Sequence, residues 1–592
     1  MKLSTADDMQ TSARYSEQRG ILLVSPVGFA HGWAPLGIAL IKAYLSAYTN
    51  FQPQTLSLCV SFSNYIAREH PGLAEYDKQM GEWGSSFHEL YFAAQYFKHA
   101  PAQQLIREAV VDYIEGQDIY RRPPWVFKKQ ASTAMINFHS ERIMAFCQLI
   151  DDFSSRELVQ SLRQASPFIV GFSVMVQQVF TAAVLARLVR EILPSTTIVF
   201  GGPAILSRTA VCYRELFPEV DYFVYGDGEE SLKTIAEHVA TGLPLDSEPG
   251  ILGRQTSAGM ISQPVRQPVL RQVPFADFEE IGNFYRHTGF PLTTWFGRGC
   301  SWGKCRFCSI PEFQRRLLNR PVEDLYGEIS HFKTYYGTSS IRFGDWEVNG
   351  SPKDLQQFCS KVIENNHHFE FWGEVNARNL SSELVNHMKQ AGFVSLQVGL
   401  EAFSDGLLRK MKKPATLIDN IRAMILAHQF DIELFSNIIF NFPGETREDL
   451  LDTLRVIKLI RHLLSPPVKL ALLEFLLETD ADVYQNLDQS DEIDNYRFES
   501  RCFPDQQKPY GPYFLKQWMR TPDPLWAHVE REIELSSSGL FEFNHFIELD
   551  LVHLEDSREG KLIVTTLSGS AAKVYQTLID QPSMAQELSK TL

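Results

Sequence analysis

The 592-residue chain holds only eight cysteines. It has no apolar run near the ~20 residues that a membrane-spanning helix needs. So few cysteines in so long a chain exclude a disulfide scaffold. Positive charge is also scarce. Lys plus Arg is 56 against 71 for Asp plus Glu, a formal net charge of −15. That balance argues against duplex binding through a basic surface, and no nucleic-acid or membrane partner is expected. The first 20 residues lack the apolar core of a secretory signal, so the expected location is cytoplasmic. No Gly-x-Gly-x-x-Gly occurs, which disfavours a simple nicotinamide-binding unit. No internal repeat or low-complexity tract occurs either. With 44% hydrophobic and 21% charged residues, what remains is a globular chain of several domains.

Residues 21–242 read as a doubly wound parallel α/β domain after an N-terminal tail of residues 1–20. Apolar runs at Ile21–Ser25, Leu56–Phe62, Phe168–Val174, Thr197–Gly201 and Asp221–Tyr225 are predicted strands. Glycines follow several of them, as in sheets that bind nucleotide-like ligands. Residues 63–160 interrupt the alternation as a helical insertion. Its aromatic stripe (Trp83, Phe87, Tyr91, Phe92, Tyr96, Phe97) is expected to be core packing. Residues 243–290, richer in Pro and Gln, are expected to be a linker. Residues 291–480 alternate again, with five or six βα units predicting a full or partial TIM-type barrel. Residues 481–592 are expected to be a small C-terminal α+β extension of winged-helix-like pattern.

The sharpest chemical signal is Gly299-Cys300-Ser-Trp-Gly-Lys-Cys305-Arg-Phe-Cys308, placed directly after a predicted strand. Three thiolates on one loop can hold three irons of a cubane cluster and leave the fourth open. The nearest other cysteine, Cys359, falls on a predicted helix. A zinc site with a distant fourth ligand is the other reading of the triplet.

This loop resembles the signature of the radical S-adenosylmethionine (SAM) enzymes, with one residue more in its first gap than the commonest Cys-x3-Cys-x2-Cys. Further matches follow in chain order. Gly373-Glu374-Val-Asn-Ala-Arg378 resembles the strand that meets the methionine end of SAM. Gly399-Leu-Glu401-Ala-Phe-Ser404, followed by Leu408-Arg-Lys-Met-Lys-Lys413, resembles the strand end that faces the ribose. Asn441-Phe-Pro443-Gly444-Glu445-Thr446 resembles a later turn, and only the resemblance links Gly444 to adenine. The resemblance implies a 4Fe-4S cluster on Cys300, Cys305 and Cys308. It also implies SAM held by Glu374, Arg378, Gly399, Glu401, Ser404 and Gly444. For Glu374 and Arg378 a structural ion pair is an equal reading.

The first domain resembles the cobalamin-binding domain that precedes the barrel in one radical SAM subgroup. Pro35-Leu-Gly37, Val170-Gly-Phe-Ser173, Gly201-Gly202-Pro203 and Gly226-Asp-Gly228-Glu-Glu230 carry the match. It implies cobalamin contacts at Ser173, Gly201, Gly202, Gly226 and Gly228. No Asp-x-His-x-x-Gly motif offers a lower cobalt ligand. Gly81-Glu82-Trp83 with Tyr91-Phe-Ala93, Gly344-Asp345-Trp-Glu-Val-Asn349 and His462-Leu-Leu-Ser-Pro466-Pro467 resemble maturases of ribosomally made peptide natural products, a group with C-methyltransferases.

The resemblance implies a cobalamin-dependent radical SAM enzyme that methylates an unactivated carbon of a peptide or natural product. An external one-electron donor such as flavodoxin or ferredoxin would serve it. A non-methylating radical reaction, and a peptide-binding partner with a vestigial barrel, are the alternatives. The sequence singles out no residue that moves a proton. Asp345, Glu347 and Asn349 are placed near a strand end, as substrate-facing or solvated loop residues.

Overall fold

A computed structural model of the chain describes residues 20–28, 34–80, 82–115, 132–245, 248–255, 269–310, 316–475, 477, 481–486, 493–495, 516–518, 522–548 and 551–580. The sequence expectations outside these ranges, including the tail before residue 20 and the side chain of Trp83, lie outside the described residues.

The first sheet is built from buried apolar runs. Strand β1 (Gly20–Ser25) carries Ile21, Leu22, Leu23 and Val24, all buried, as a strand covered on both faces requires. Helix α1 (Leu36–Tyr48) leads to β2 (Gln52–Ser57). The expected strand at Leu56–Phe62 is corrected here. The strand ends at Ser57, and Leu58 already starts helix α2 (Leu58–Glu69). Four more helices follow: α3 (Pro71–Met80), α4 (Glu82–Phe97), α5 (Ala102–Glu115) and the long α6 (Thr133–Ala165). This is the expected helical insertion, entered at residue 58. Phe87, Tyr91, Phe92 and Tyr96 are buried in the core it shares with the sheet, so the aromatic stripe is packing. The buried Glu89 carboxylate accepts the amide of Phe180 at 3.0 Å, tying the insertion to the next sheet helix.

The chain then returns through β3 (Ile169–Ser173), α7 (Val179–Ile192), β4 (Thr197–Gly201), α8 (Ser207–Leu216), β5 (Tyr222–Val224) and α9 (Gly228–Thr241). Strand β6 (Ile251–Gly253) closes the edge antiparallel to β5. The order is β2-β1-β3-β4-β5-β6. The strand order reverses at β1, with β2 on one side and β3 onward on the other, and such a switch point opens a crevice at the carboxyl ends of the strands.

The 243–290 stretch does more than connect. Besides β6, it contributes buried Ala276 and Phe278 to the next core and helix α10 (Gly282–Thr288). The second sheet begins with β7 (Leu292–Thr294). A small ribbon of β8 (Gly297–Arg298) and β9 (Leu318–Asn319) comes next, and helix α11 (Val322–His331) follows it. Strands β10 (Ser340–Phe343), β11 (Glu370–Val375), β12 (Phe393–Val398), β13 (Glu433–Phe440) and β14 (Val468–Glu474) alternate with helices. These helices are α12 (Pro352–Glu364), α13 (Ser382–Ala391), α14 (Asp405–Lys410), α15 (Leu417–Phe430) and α16 (Arg447–Leu459). All neighbours in the order β7-β10-β11-β12-β13-β14 are parallel, so the described strands form a six-stranded partial barrel.

The first domain sits against the β7 edge. Ala39, Leu40 and Cys59 share one core with Leu292, Trp295 and Phe296. Lys42 of α1 reaches Glu280 at 2.8 Å and Asp277 at 3.2 Å.

Strands β15 (Ile493–Asn495) and β16 (Lys516–Trp518) pair antiparallel. Helix α17 (Leu525–Ser537) packs Trp526, Val529 and Ile533 into the barrel core. The chain continues as an antiparallel meander of β17 (Phe543–Glu548), β18 (Leu551–Asp556) and β19 (Ile563–Leu567), with helix α18 (Gly569–Asp580) after it. The C-terminal extension is thus of the expected α+β kind over the residues described.

Candidate active site

The cysteine loop leaves the carboxyl end of β7, where barrel ligands sit. Cys300, Cys305 and Cys308 are partly buried and form no disulfide. The amides of Trp302 and Gly303 point at Cys300 Sγ, each at 3.4 Å. Burial pushes Cys305 up to about 12, against the pull of nearby Lys413. Cys359 is buried in the barrel core on α12, away from any ligand role. No three His, Cys, Asp or Glu side chains among the described residues converge as ligands of one metal ion do. Three thiols on one loop suit a sulfur-bridged group.

Side chains from the β10 end frame this loop. Buried Asp345 accepts the amides of Phe296 at 2.9 Å and Gly297 at 2.6 Å. Buried Glu347 accepts the amide of Ser301, next to Cys300. Asn349 brackets Asn376 with two bonds of 2.8 Å and so shapes the turn after β11. These three residues are neither solvated nor facing open space. From the other side, Arg306 N bonds Met411 O at 2.9 Å and Trp302 Nε1 bonds Lys412 O at 2.8 Å. The sequence marked this acidic segment by its position alone. What it could not show is that the carboxylates are buried and aimed back at the loop.

Glu401 stands at a left-handed turn after β12 (φ +63°). Its carboxylate takes Lys413 Nζ at 2.8 Å, with both side chains largely buried. Burial works against the Lys413 charge, but Glu401 and Cys305 outweigh it and raise its pKa. Gly399 lies beside this pair, and a β-carbon there would press on Lys413 Nζ and Glu401 Oε1. Glu374, on β11, is pushed up to about 6 by burial, with Arg342 opposing and Glu401 adding to the rise. The three cysteines, Gly399, Glu374, Glu401 and Lys413 thus form one electrostatic neighbourhood. Arg342 joins it through Glu374 and was not singled out from the sequence, where Lys413 appeared only as the end of a motif with no role of its own.

Three expected SAM residues lie apart from that neighbourhood. Arg378 is exposed on the turn after β11, and no ion pair joins it to Glu374 among the described residues. Ser404 is buried, caps α14 through the Leu407 amide at 3.2 Å and donates to Asp449 at 3.0 Å. Its hydroxyl is committed to the fold. Gly444 sits in a turn at φ +83° with open space around it. The next residue, Glu445, takes the Asn441 amide at 3.1 Å and Trp526 Nε1 at 2.9 Å, so this turn carries the C-terminal helix.

A cavity of about 410 Å³ opens at the switch point of the first sheet. Ser173, Gly201, Gly202, Gly226 and Gly228 all line it, joined by Thr293, Arg298 and Gly344 of the barrel. At Gly202 (φ +98°) a β-carbon would meet Val174 N at 2.6 Å, so only glycine fits. Arg298, two residues before Cys300, pairs with Asp227 at 2.9 Å and Glu229 at 2.5 Å in the turn after β5. Burial lifts Asp227 to about 6 despite Arg298. A glycine-lined apolar crevice with few polar atoms fits a large, largely neutral macrocycle better than a dinucleotide.

A doubly wound domain feeding a six-stranded partial barrel, with three free thiols after its first strand, defines a two-domain class. Residues 141–236 match the B12 binding domain and residues 296–457 match the radical SAM superfamily. The chain carries a B12-binding domain ahead of a radical SAM domain. Its backbone superposes on that of the radical S-adenosylmethionine methyltransferase TsrM from Kitasatospora setae, solved with cobalamin and a 4Fe-4S cluster. The TM-score is 0.59 at 15% identity, covering 88% of this chain and 91% of that one. The cobalamin-dependent radical enzyme OxsB gives a TM-score of 0.52 at 15% identity, covering 95% and 67%. In sequence, the chain is 24% identical over 317 residues to an uncharacterized methyltransferase of Pyrococcus horikoshii, covering 52% of this chain and 68% of that protein. It is 25% identical over 327 residues to the anaerobic magnesium-protoporphyrin IX monomethyl ester cyclase of Cereibacter sphaeroides, and spans about half of that protein's length, 52%. Radical SAM domains work with a 4Fe-4S cluster and SAM, and B12-binding domains take cobalamin. The free thiols and the cavity suit those groups.

Proposed function

We propose that this enzyme methylates an unactivated carbon of a peptide or small natural product. The observation that carries this reading is one cavity walled by both domains, reached from the cysteine loop through Arg298. Bound there, the cluster with SAM would supply hydrogen-atom abstraction, and cobalamin would supply the methyl group. Cys300, Cys305 and Cys308 would hold the cluster. Glu401, with Lys413 fixing its position, would accept a ribose hydroxyl. Glu374 and Gly399 would complete the SAM site, and Ser173, Gly201, Gly202, Gly226 and Gly228 the cobalamin site. Arg378, Ser404 and Gly444 remain proposed as SAM residues on the resemblance alone. Asp345 and Glu347 would keep the loop in shape. The domain boundaries read from the sequence, the cytoplasmic location and an external one-electron donor belong to the same proposal. Among the described residues no helix is long and apolar enough to cross a membrane.

The test is anaerobic purification from cells supplied with cobalamin, followed by metal analysis and SAM turnover. About four irons and one cobalt per chain are expected. Cys305→Ala should lose iron and abolish SAM cleavage while cobalt stays. Iron without cobalt would favour the second reading, a radical oxidation, rearrangement or crosslink without methyl transfer.

A further inference from the structure

Two buried polar atoms belong to residues that line the interdomain cavity and have no hydrogen-bond partner: Asp227 Oδ2 and Thr293 Oγ1. They come from different domains. Asp227 is on the turn after β5, and its side chain is 9% exposed. Arg298 Nη1 holds its other oxygen at 2.9 Å, which fixes the carboxylate in place. Thr293 is on β7, the barrel strand nearest the first domain, and is 7% exposed. Its neighbour Thr294 donates to Glu328 and is satisfied, so the strand can provide for a buried hydroxyl. Valine at 293 would suit a strand equally and leave nothing orphaned. A buried polar atom without a partner costs stability, and each one calls for an explanation.

We infer that Asp227 and Thr293 clamp one ligand between the two domains, and that this ligand is the corrin, gripped through the N–H groups of its peripheral amides. An ionised carboxylate can only accept, so its partner must bring a donor. A phosphate or carboxylate ligand would meet like charge at Asp227. Most of the rest of the wall is glycine and apolar side chains such as Leu23, Ile38 and Val199; Ser25, Ser173, Gln178, Glu229 and Arg298 are its other polar members, and Arg298 is already paired with Asp227 and Glu229. A neutral macrocycle rimmed with amides satisfies all three conditions. The clamp rests on the reading of this cavity as a cobalamin site. It extends that reading to a contact made by the barrel, and through Arg298 it ties the corrin to the cysteine loop.

The experiment is absorbance titration of hydroxocobalamin into the full-length, cobalamin-free protein, purified anaerobically, with Asp227→Asn and Thr293→Val beside the parent. Thr293→Val is expected to raise Kd about fivefold, and Asp227→Asn about tenfold. Thr293→Val should keep its iron. Its cobalamin-free form should be at least as heat-stable as the parent, because an orphaned hydroxyl has gone. A merely structural role would move stability and affinity the same way. Thr293→Val carries the test if Asp227→Asn fails to fold. Kd for Thr293→Val within twofold of the parent, or a less stable cobalamin-free form, overturns the clamp alone. No binding by the parent overturns the clamp and the cobalamin reading together.

Discussion

A β-carbon added at Gly399 would lie 2.7 Å from Lys413 Nζ and 2.8 Å from Glu401 Oε1. Gly399→Ala must therefore shift the ends of these two side chains. It is expected to weaken SAM binding by about tenfold, since the displaced acceptor is a charged one. Calorimetric titration of SAM into cluster-loaded protein checks this, and an unchanged Kd would remove Glu401 from the site. Much at this scale was legible. The cysteine spacing and the glycines after β4 and β5 stand out in the sequence because spacing and backbone freedom leave marks there. The roles of Asp345 and Glu347 leave none. A carboxylate in an acidic stretch looks solvated until its burial is known. Lys413 hides in a run of basic residues, and only folding brings it to Glu401.

Among the elements, the insertion of α2 to α6 is fastened by Glu89, which burial lifts to about 8 while the amides of Phe180 and Thr181 pull it down. Its folded pKa lies above the unfolded value, so the folded chain binds the extra proton between about 4.5 and 8. On this group's account, stability falls as pH rises through that window and levels off above it. Glu89→Gln should remove the slope. Its Tm relative to the parent is expected to rise by a few degrees from pH 5 to pH 8, as scanning calorimetry would show. Helix α17 has a different anchor. Trp526→Ala removes a fully buried side chain and the donor to Glu445, and should cost roughly 3–5 kcal/mol. Denaturant unfolding and limited proteolysis of α17 would read the loss. Strands β1, β3 and β4 were legible because central parallel strands are continuously apolar. Strand β2 was misplaced for the opposite reason. It is an edge strand with Gln52 exposed and Gln54 out of the core, while the apolar run after it starts a helix.

For the whole molecule, Arg298 joins the domains, with Glu229 and Asp227 on one side and the cysteine loop on the other. Arg298→Met leaves two buried carboxylates unpaired, a change worth roughly 3–5 kcal/mol. The calorimetric transition is expected to broaden or split as the domains uncouple. A single transition at the parent's Tm would show that the apolar contact around Leu40 and Leu292 suffices. The order of the domains and the start of the barrel were legible from the two alternating series. Their mutual seat was not, because it depends on charges far apart in the chain.

The cysteine loop is braced by Asp345 and Glu347 on one side and by the backbone of residues 411–412 on the other. None of those bonds involves a metal. These bonds are the protein's own, so the frame is expected to keep its shape with or without iron, unlike a zinc finger, whose fold depends on its ion. Oxygen that strips the cluster should leave an intact socket. Repair is then a matter of returning iron and sulfide to a finished mould, with no chain to refold.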